Sequence, residues 1–230
     1  DALGRIERVT TAKDGQVLVA VQSVAYHPFG GPKTWTFGNG QAYSRAVDLD
    51  GRIASCTLGG ASQSVGFDAA SRITSIGANA YGYDALDRLV SAAPPSGSYG
   101  YSYDAVGNRL TKTTGAGNEN YTYSAMSNRI ATAGARSFVF DANGSTTADG
   151  VNSYAYDTRG RMAQAVSAMG TTAYQVNALG QRIRKTNAAG DVLFHYDSQG
   201  RLIAETDAAG ALRREYLYLG EIPVAEIRAP

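Results

Sequence analysis

Carboxylates and guanidiniums recur along this chain in one setting. Asp84, Asp104, Asp157 and Asp197 each follow an aromatic residue, and each is followed closely by an arginine: Arg88, Arg109, Arg161 and Arg201. Paired carboxylates could share a proton in general acid–base catalysis. A stripe of arginines, continued by Arg72, Arg129 and Arg182, could bind an extended anion. The spacing favours a plainer role. Asp-x-x-Gly is the signature of a type I turn, in which the carboxylate accepts a turn amide. The arginines are then placed to pair with neighbouring Tyr and Asp. His27 and His195 lack metal-ligand spacing, and Cys56, with no histidine nearby, reads as a small buried thiol. Gly30-Gly31 and Gly59-Gly60 read as turns, and no phosphate loop or nucleophile elbow is present. We therefore expect no catalytic residue, no cofactor and no metal, and do not read the chain as an enzyme.

The elements that position these residues form a repeat: aromatic–x–aromatic–Asp–x–x–Gly–Arg–aliphatic. The fullest copies hold Tyr154, Tyr156, Asp157, Gly160 and Arg161, and Tyr196, Asp197, Gly200 and Arg201 after Phe194. Two more hold Tyr81, Tyr83, Asp84 and Arg88, and Tyr101, Tyr103, Asp104, Gly107 and Arg109. Partial copies carry Phe67 and Asp68, Tyr121 with Ser124, Phe138 to Gly144, Tyr174 with Asn177, Asp48 to Ile53, and Asp1 to Ile6. The Asp slots fall at 48, 68, 84, 104, 124, 141, 157, 177 and 197, a spacing of 16 to 20 residues. Side chains alternate along a strand, so Tyr-x-Tyr puts two rings on one face. Each unit is thus a β-hairpin tip. Simple register places Tyr156 opposite Arg161 as a cation–π pair. Asn108, Asn128 and Gln181 read as one-residue insertions absorbed by a bulge, which keeps Tyr103 opposite Arg109 and Val176 opposite Arg182.

Stacked hairpins bury their aromatic faces on one another, which predicts an all-β array with nearest-neighbour stability. The fold class is tandem antiparallel β-hairpins in a curved, spiralling strip or part of a hollow shell. No helical period is found. Ala92 to Gly97 reads as a loop within one unit, so residues 1–230 form a single array. Of the 230 residues only 18% are charged, with a net charge of +1, which predicts no nucleic-acid partner. One cysteine excludes an intrachain disulfide. No apolar run reaches the length of a membrane helix, so no membrane insertion is expected. Asp1 opens in mid-motif, which points to a segment cut from a longer precursor.

These units resemble the YD repeats of the RHS family, which includes bacterial polymorphic toxins, insecticidal toxin complexes and teneurins. Further likeness lies in Tyr26-His27-Pro28-Phe29-Gly30, in Trp35 to Gly40, and in Tyr216 to Ala225, a stretch that falls late in family arrays. The resemblance implies a spiralling sheet that closes into a shell around a toxin domain. The family's Asp-, Pro- and Gly-rich sealing segment is absent. The resemblance therefore implies shell material, secreted or at a bacterial cell surface, whose partners are the rest of its own chain, further copies, or an enclosed toxin domain. Two alternatives come from the residues: an extracellular fibre of stacked repeats, and an adhesive module in which Tyr and Trp35 bind glycans.

Overall fold

A computed structural model describes residues 1–13, 15–28 and 30–229; Asp14, Phe29 and Pro230 lie outside them. Among these residues every regular element is a strand. The strands pair antiparallel in sequence order. They form a fourteen-stranded sheet from Val9–Lys13 to Arg136–Ser137 and a ten-stranded sheet from Val139–Phe140 to Ile222–Arg228. By compactness the chain divides into two units: residues 1–101, 113–116 and 217–225 form one, and residues 102–112, 117–216 and 226–230 the other.

Two kinds of connection alternate. Tight turns join pairs such as Ser167 and Gly170 or Asn187 and Gly190. Pro94 to Gly97 makes another turn, closed by the Gly97 amide donating to the Pro94 carbonyl at 3.0 Å. The other kind is the Asp loop. In residues 157–161 the Gly160 amide donates to the Asp157 carbonyl at 2.9 Å, and the Asp157 amide donates to the Arg161 carbonyl at 2.8 Å. Gly160 sits at φ +74°, a left-handed conformation that a side chain disfavours. A type I turn followed by one left-handed residue gives a five-residue loop.

The register differs from simple expectation. Tyr156 pairs with Met162 and not with Arg161, because Arg161 closes the loop and does not belong to the returning strand. The Gln181 copy has the same loop: Asn177 to Gln181 closes it, and Val176 pairs with Arg182 as expected. Asn108 and Gln181 are therefore not insertions. They occupy the loop-closing slot, and the arginine stands one place later. The Ser124 loop does hold an extra residue, since the Ser124 amide donates to the Arg129 carbonyl at 2.9 Å and Tyr123 pairs with Ile130.

Bulges are also more general than expected. Ala155 pairs with Gln164 while Tyr156 pairs with Met162, which leaves Ala163 unpaired. The same slip leaves out Ala54, Thr74, Val90, Ala131, Thr147, Ile183 and Ile203 in their hairpins. An extra residue bends its strand and raises the local twist, so each hairpin of this kind carries the same bend at the same place.

The deepest packing lies in the first unit. Val21, Val24, Trp35 and Leu219 are buried together, with Tyr26, Phe37, Tyr43, Ile222 and Val224 against them. Trp35 pairs across the strands with Tyr43, and their rings stack with centroids 4.0 Å apart. Phe37 meets Trp35 edge-on at 5.9 Å. Cys56 is half-buried rather than buried.

Candidate functional site

The residues singled out by sequence come together at the Asp loops. Asp68 Oδ1 accepts the amides of Ala70 at 2.9 Å and Arg72 at 3.0 Å, and Oδ2 accepts Arg72 Nε at 2.7 Å. The Nε-to-Oδ2 contact recurs at 2.8 Å for Arg52 and Asp48, and at 2.7 Å for both Arg88 and Asp84 and Arg201 and Asp197. Asn108 substitutes for the arginine, donating Nδ2 to Asp104 Oδ2 at 2.9 Å. In the 177–181 loop the polarity is inverted, and Asn177 Nδ2 donates to Gln181 Oε1 at 2.7 Å. The Arg72 amide, followed by the Arg72 side chain, holds the Asp68 carboxyl below the usual carboxylate range. The Arg88 amide does the same for Asp84, the Arg201 amide for Asp197 and the Arg161 amide for Asp157. Asp68, Asp84, Asp157 and Asp197 thus each accept the amides that close their own loops.

Cation–π pairs are present, and several of them join one repeat to the next, while Arg182 also lies over Tyr174 of its own repeat. The Arg72 guanidinium lies 5.2 Å from the ring centre of Tyr83 in the following repeat. Arg5 over Tyr26 and Arg52 over Phe67 both lie at 4.5 Å. An arginine one place later meets the other ring of the next repeat: Arg109 over Tyr121 at 4.2 Å, and Arg182 over Phe194 at 4.6 Å. The tie also runs backwards. Tyr83 donates its hydroxyl to the Ile73 carbonyl at 2.8 Å, on the returning strand of the previous unit. Tyr123, Tyr156 and Tyr196 donate likewise to the carbonyls of Arg109, Thr146 and Arg182, each at 2.9 Å. Alternation predicts which face the rings occupy, but not these backward bonds.

The loops touch one another as well. Arg52 Nη1 donates to Ser71 Oγ at 2.7 Å, and Arg72 Nη1 donates to Asp87 Oδ1 at 2.8 Å. Ser71 and Asp87 stand where other loops have glycine, at φ +63° and +61°. A non-glycine residue there is strained, and in both cases the side chain accepts from the preceding arginine. Arg161 reaches the Asn177 carbonyl, and it donates Nη2 to the Ala178 carbonyl at 3.3 Å.

Sequence reasoning missed two positions. Asp207 forms a full loop, with Oδ1 accepting the amides of Ala209 and Ala211 at 2.9 Å each. Thr206 in the ring position hid it. Asp149, in a shorter turn, is buried and accepts the Asn152 amide at 2.7 Å, the Val151 amide at 3.0 Å, the Tyr154 hydroxyl at 3.0 Å and Arg136 Nη2 at 2.7 Å. Those donors, the Asn152 amide foremost, hold its carboxyl far below the usual range. Tyr154 is thereby drawn to Asp149. Tyr81, Tyr101 and Tyr103 are each half-buried. His195 Nε2 lies 2.9 Å from Thr206 Oγ1, and no metal-ligand group occurs among the described residues.

Solved structures share this fold. The Tc holotoxin pore of Photorhabdus luminescens matches 95% of this chain and 16% of its own, at 15% identity and TM-score 0.67. Crystal structures of TcdB2-TccC3-Cdc42 and of TcdB2-TccC3 without its hypervariable C-terminal region each reach TM-score 0.52. They are 15% and 14% identical, and cover 98% and 99% of this chain and 17% of each other chain. The chain thus spans about a sixth of the length of the structures it matches. Comparison with curated proteins gives no match. The model of the Teneurin YD-shell family matches residues 88–220, more than half of the chain. With its Asp loops, its ring-to-arginine ties and that match, the chain belongs to the Teneurin YD-shell family.

Proposed function

We propose that this chain is a stretch of the wall of a YD shell that encloses a polypeptide cargo, with a toxin domain as the leading candidate. The observation that carries this reading is the two-way tie between successive repeats, Arg72 onto Tyr83 and Tyr83 back onto Ile73. Side chains that catalysis would need free are spent on joining one hairpin to the next, which is what a wall requires. Likeness to toxin-complex chains supports the cargo reading. On this reading residues 1–230 act as one array within a longer chain. The motif residues from Tyr81 to Arg201 are structural, the chain is no enzyme, and the setting is bacterial and extracellular.

The test is electron microscopy of the native full-length protein, together with limited proteolysis. Closed hollow particles with a protease-resistant segment inside are the expected result. Filaments would replace the wall of a capsule with a fibre, and a fully accessible chain would remove the cargo.

A further inference from the structure

One hollow in the second unit breaks the pattern of the repeats. It has a volume of about 340 Å³ and is lined by Tyr174, Arg182, Lys185, Phe194, Arg213 and Arg214, with Val192 and Glu205. Register explains the cluster. Tyr174 pairs with Lys185 and Lys185 with Val192, while Phe194 pairs with Glu205 and Glu205 with Arg214. Two cross-strand rows thus lie side by side. Arg213 is the bulge residue of its hairpin, since Glu205 pairs with Arg214 and Thr206 with Leu212. Bulges re-aim side chains, and this one brings two consecutive arginines to the same hollow.

The charge at Arg213 is out of place for the repeat. The bulge slot holds Ala54, Thr74, Val90, Ala131, Thr147, Ala163, Ile183 and Ile203 elsewhere, all uncharged. Lys185 stands where Ala92 and Ala165 stand in their own repeats, and where Lys112 stands in another. Four cations here face the single lining carboxylate of Glu205, in a chain whose net charge is only +1. Glu205 is already engaged by the Tyr216 hydroxyl at 2.8 Å and by Arg214 at 3.9 Å. Arg214 also approaches Glu226 at 3.5 Å. Asp191, whose field reaches Arg213, is held by Arg184 and by Thr186 Oγ1 at 2.5 Å. Arg182 lies over Phe194 and, at 5.7 Å, over Tyr174. Among the described residues, Arg182, Lys185 and Arg213 form no ion pair with a carboxylate.

Uncompensated like charges cost stability unless a partner neutralises them. Tyr174 and Arg182 also line a neighbouring hollow of about 340 Å³, together with Arg161, Met162, Val176 and Gly180. A small oxyanion would fill only the basic end. We propose that this groove binds an extended acidic polypeptide segment, its carboxylates on Lys185 and Arg213 and its apolar side chains against Met162 and Val176. The site stands on its own geometry, whether or not the chain encloses cargo.

The test is fluorescence anisotropy of a labelled glutamate–leucine peptide of about ten residues, with the lysine–leucine peptide as its opposite. The acidic peptide is expected to bind and the basic one not to. Affinity should fall steeply as salt shortens the screening length from about 10 Å. Lys185→Gln with Arg213→Gln should weaken binding about tenfold or more, as loss of charge-assisted contacts would. Lys33→Gln, in the other unit, should change nothing. Circular dichroism checks that each variant is folded, and the salt series on the unaltered chain carries the test if the double variant is not. Salt-independent binding, equal binding by the double variant, or no binding overturns the proposal. Displacement by inorganic phosphate at matching concentration overturns the polypeptide as ligand in favour of a small anion.

Discussion

Arg72 and Tyr83 face each other across a repeat boundary, guanidinium over ring at 5.2 Å. Arg72 is held from behind by Asp68, and Tyr83 reaches back to Ile73. The pair therefore locks two loops and one strand with side chains that lie within 16 residues in sequence. Such ties are local, so stability should respond repeat by repeat.

Removing one hydroxyl isolates the backward tie. Tyr83→Phe keeps the ring under Arg72 and loses the bond to the Ile73 carbonyl. A net hydrogen bond contributes about 1 kcal/mol, so urea unfolding followed by circular dichroism should show a loss of about that size. No change in midpoint would mean that the hydroxyl bond adds nothing to the stacking.

Acid should loosen the loops. The carboxyls of Asp68, Asp84, Asp157 and Asp197 are all held below their ordinary value. A lowered folded pKa contributes stability that is fully present above the unfolded value, near 3.9. It is lost as pH falls through the lower folded value. Thermal melts should therefore give a nearly constant Tm from pH 7 to about 5 and a decline below about pH 4. A Tm that holds down to about pH 2 would contradict this.

The left-handed slot separates loops by what precedes them. Gly160→Ala places a side chain at φ +74° with nothing nearby to receive it, and should cost about 1 kcal/mol. Asp87→Gly relieves the same strain but removes the acceptor for Arg72. The two effects oppose, so the midpoint should shift by no more than about 0.5 kcal/mol. A large loss at position 87 would show that the Arg72 contact outweighs the strain.

Trp35 should be the most costly single position in the first unit. It is buried, stacked on Tyr43 and packed with Val21, Val24 and Leu219. Trp35→Ala should cost about 3–5 kcal/mol. Amide exchange should rise first in the strands Gln16–Tyr26 and Pro32–Phe37. Unchanged protection there would disprove the central place given to this ring.

Much of this was legible in the residues. Asp-x-x-Gly identified the loops because turn chemistry is local, and the 16–20 residue period identified hairpins because neighbouring copies bury each other's rings. Pairing was less legible. Tyr156 meets Met162 because Arg161 closes a five-residue loop, and the strand then bulges at Ala163, a feature that leaves no residue type of its own in the sequence. Register alone points to an in-hairpin pair of Tyr156 with Arg161 and does not reveal forward stacking such as that of Arg72, since arginine and an aromatic occur within one motif copy as well as across two. Asp149 was hidden for another reason. Of its donors only Tyr154 belongs to the repeat pattern; Arg136, Val151 and Asn152 do not, and the four converge only in the folded chain.

The Asp68 loop reaches forward through Arg72, the residue that closes it, and the Asp84 loop reaches backward through Tyr83, the residue before its Asp, each at a fixed offset from the Asp. A whole copy lost or gained by unequal recombination, cut at equivalent positions, therefore rebuilds the same chemistry at the new junction. Arrays of this design can lengthen or shorten by genetic accident in steps of one hairpin pair without inventing a new interface.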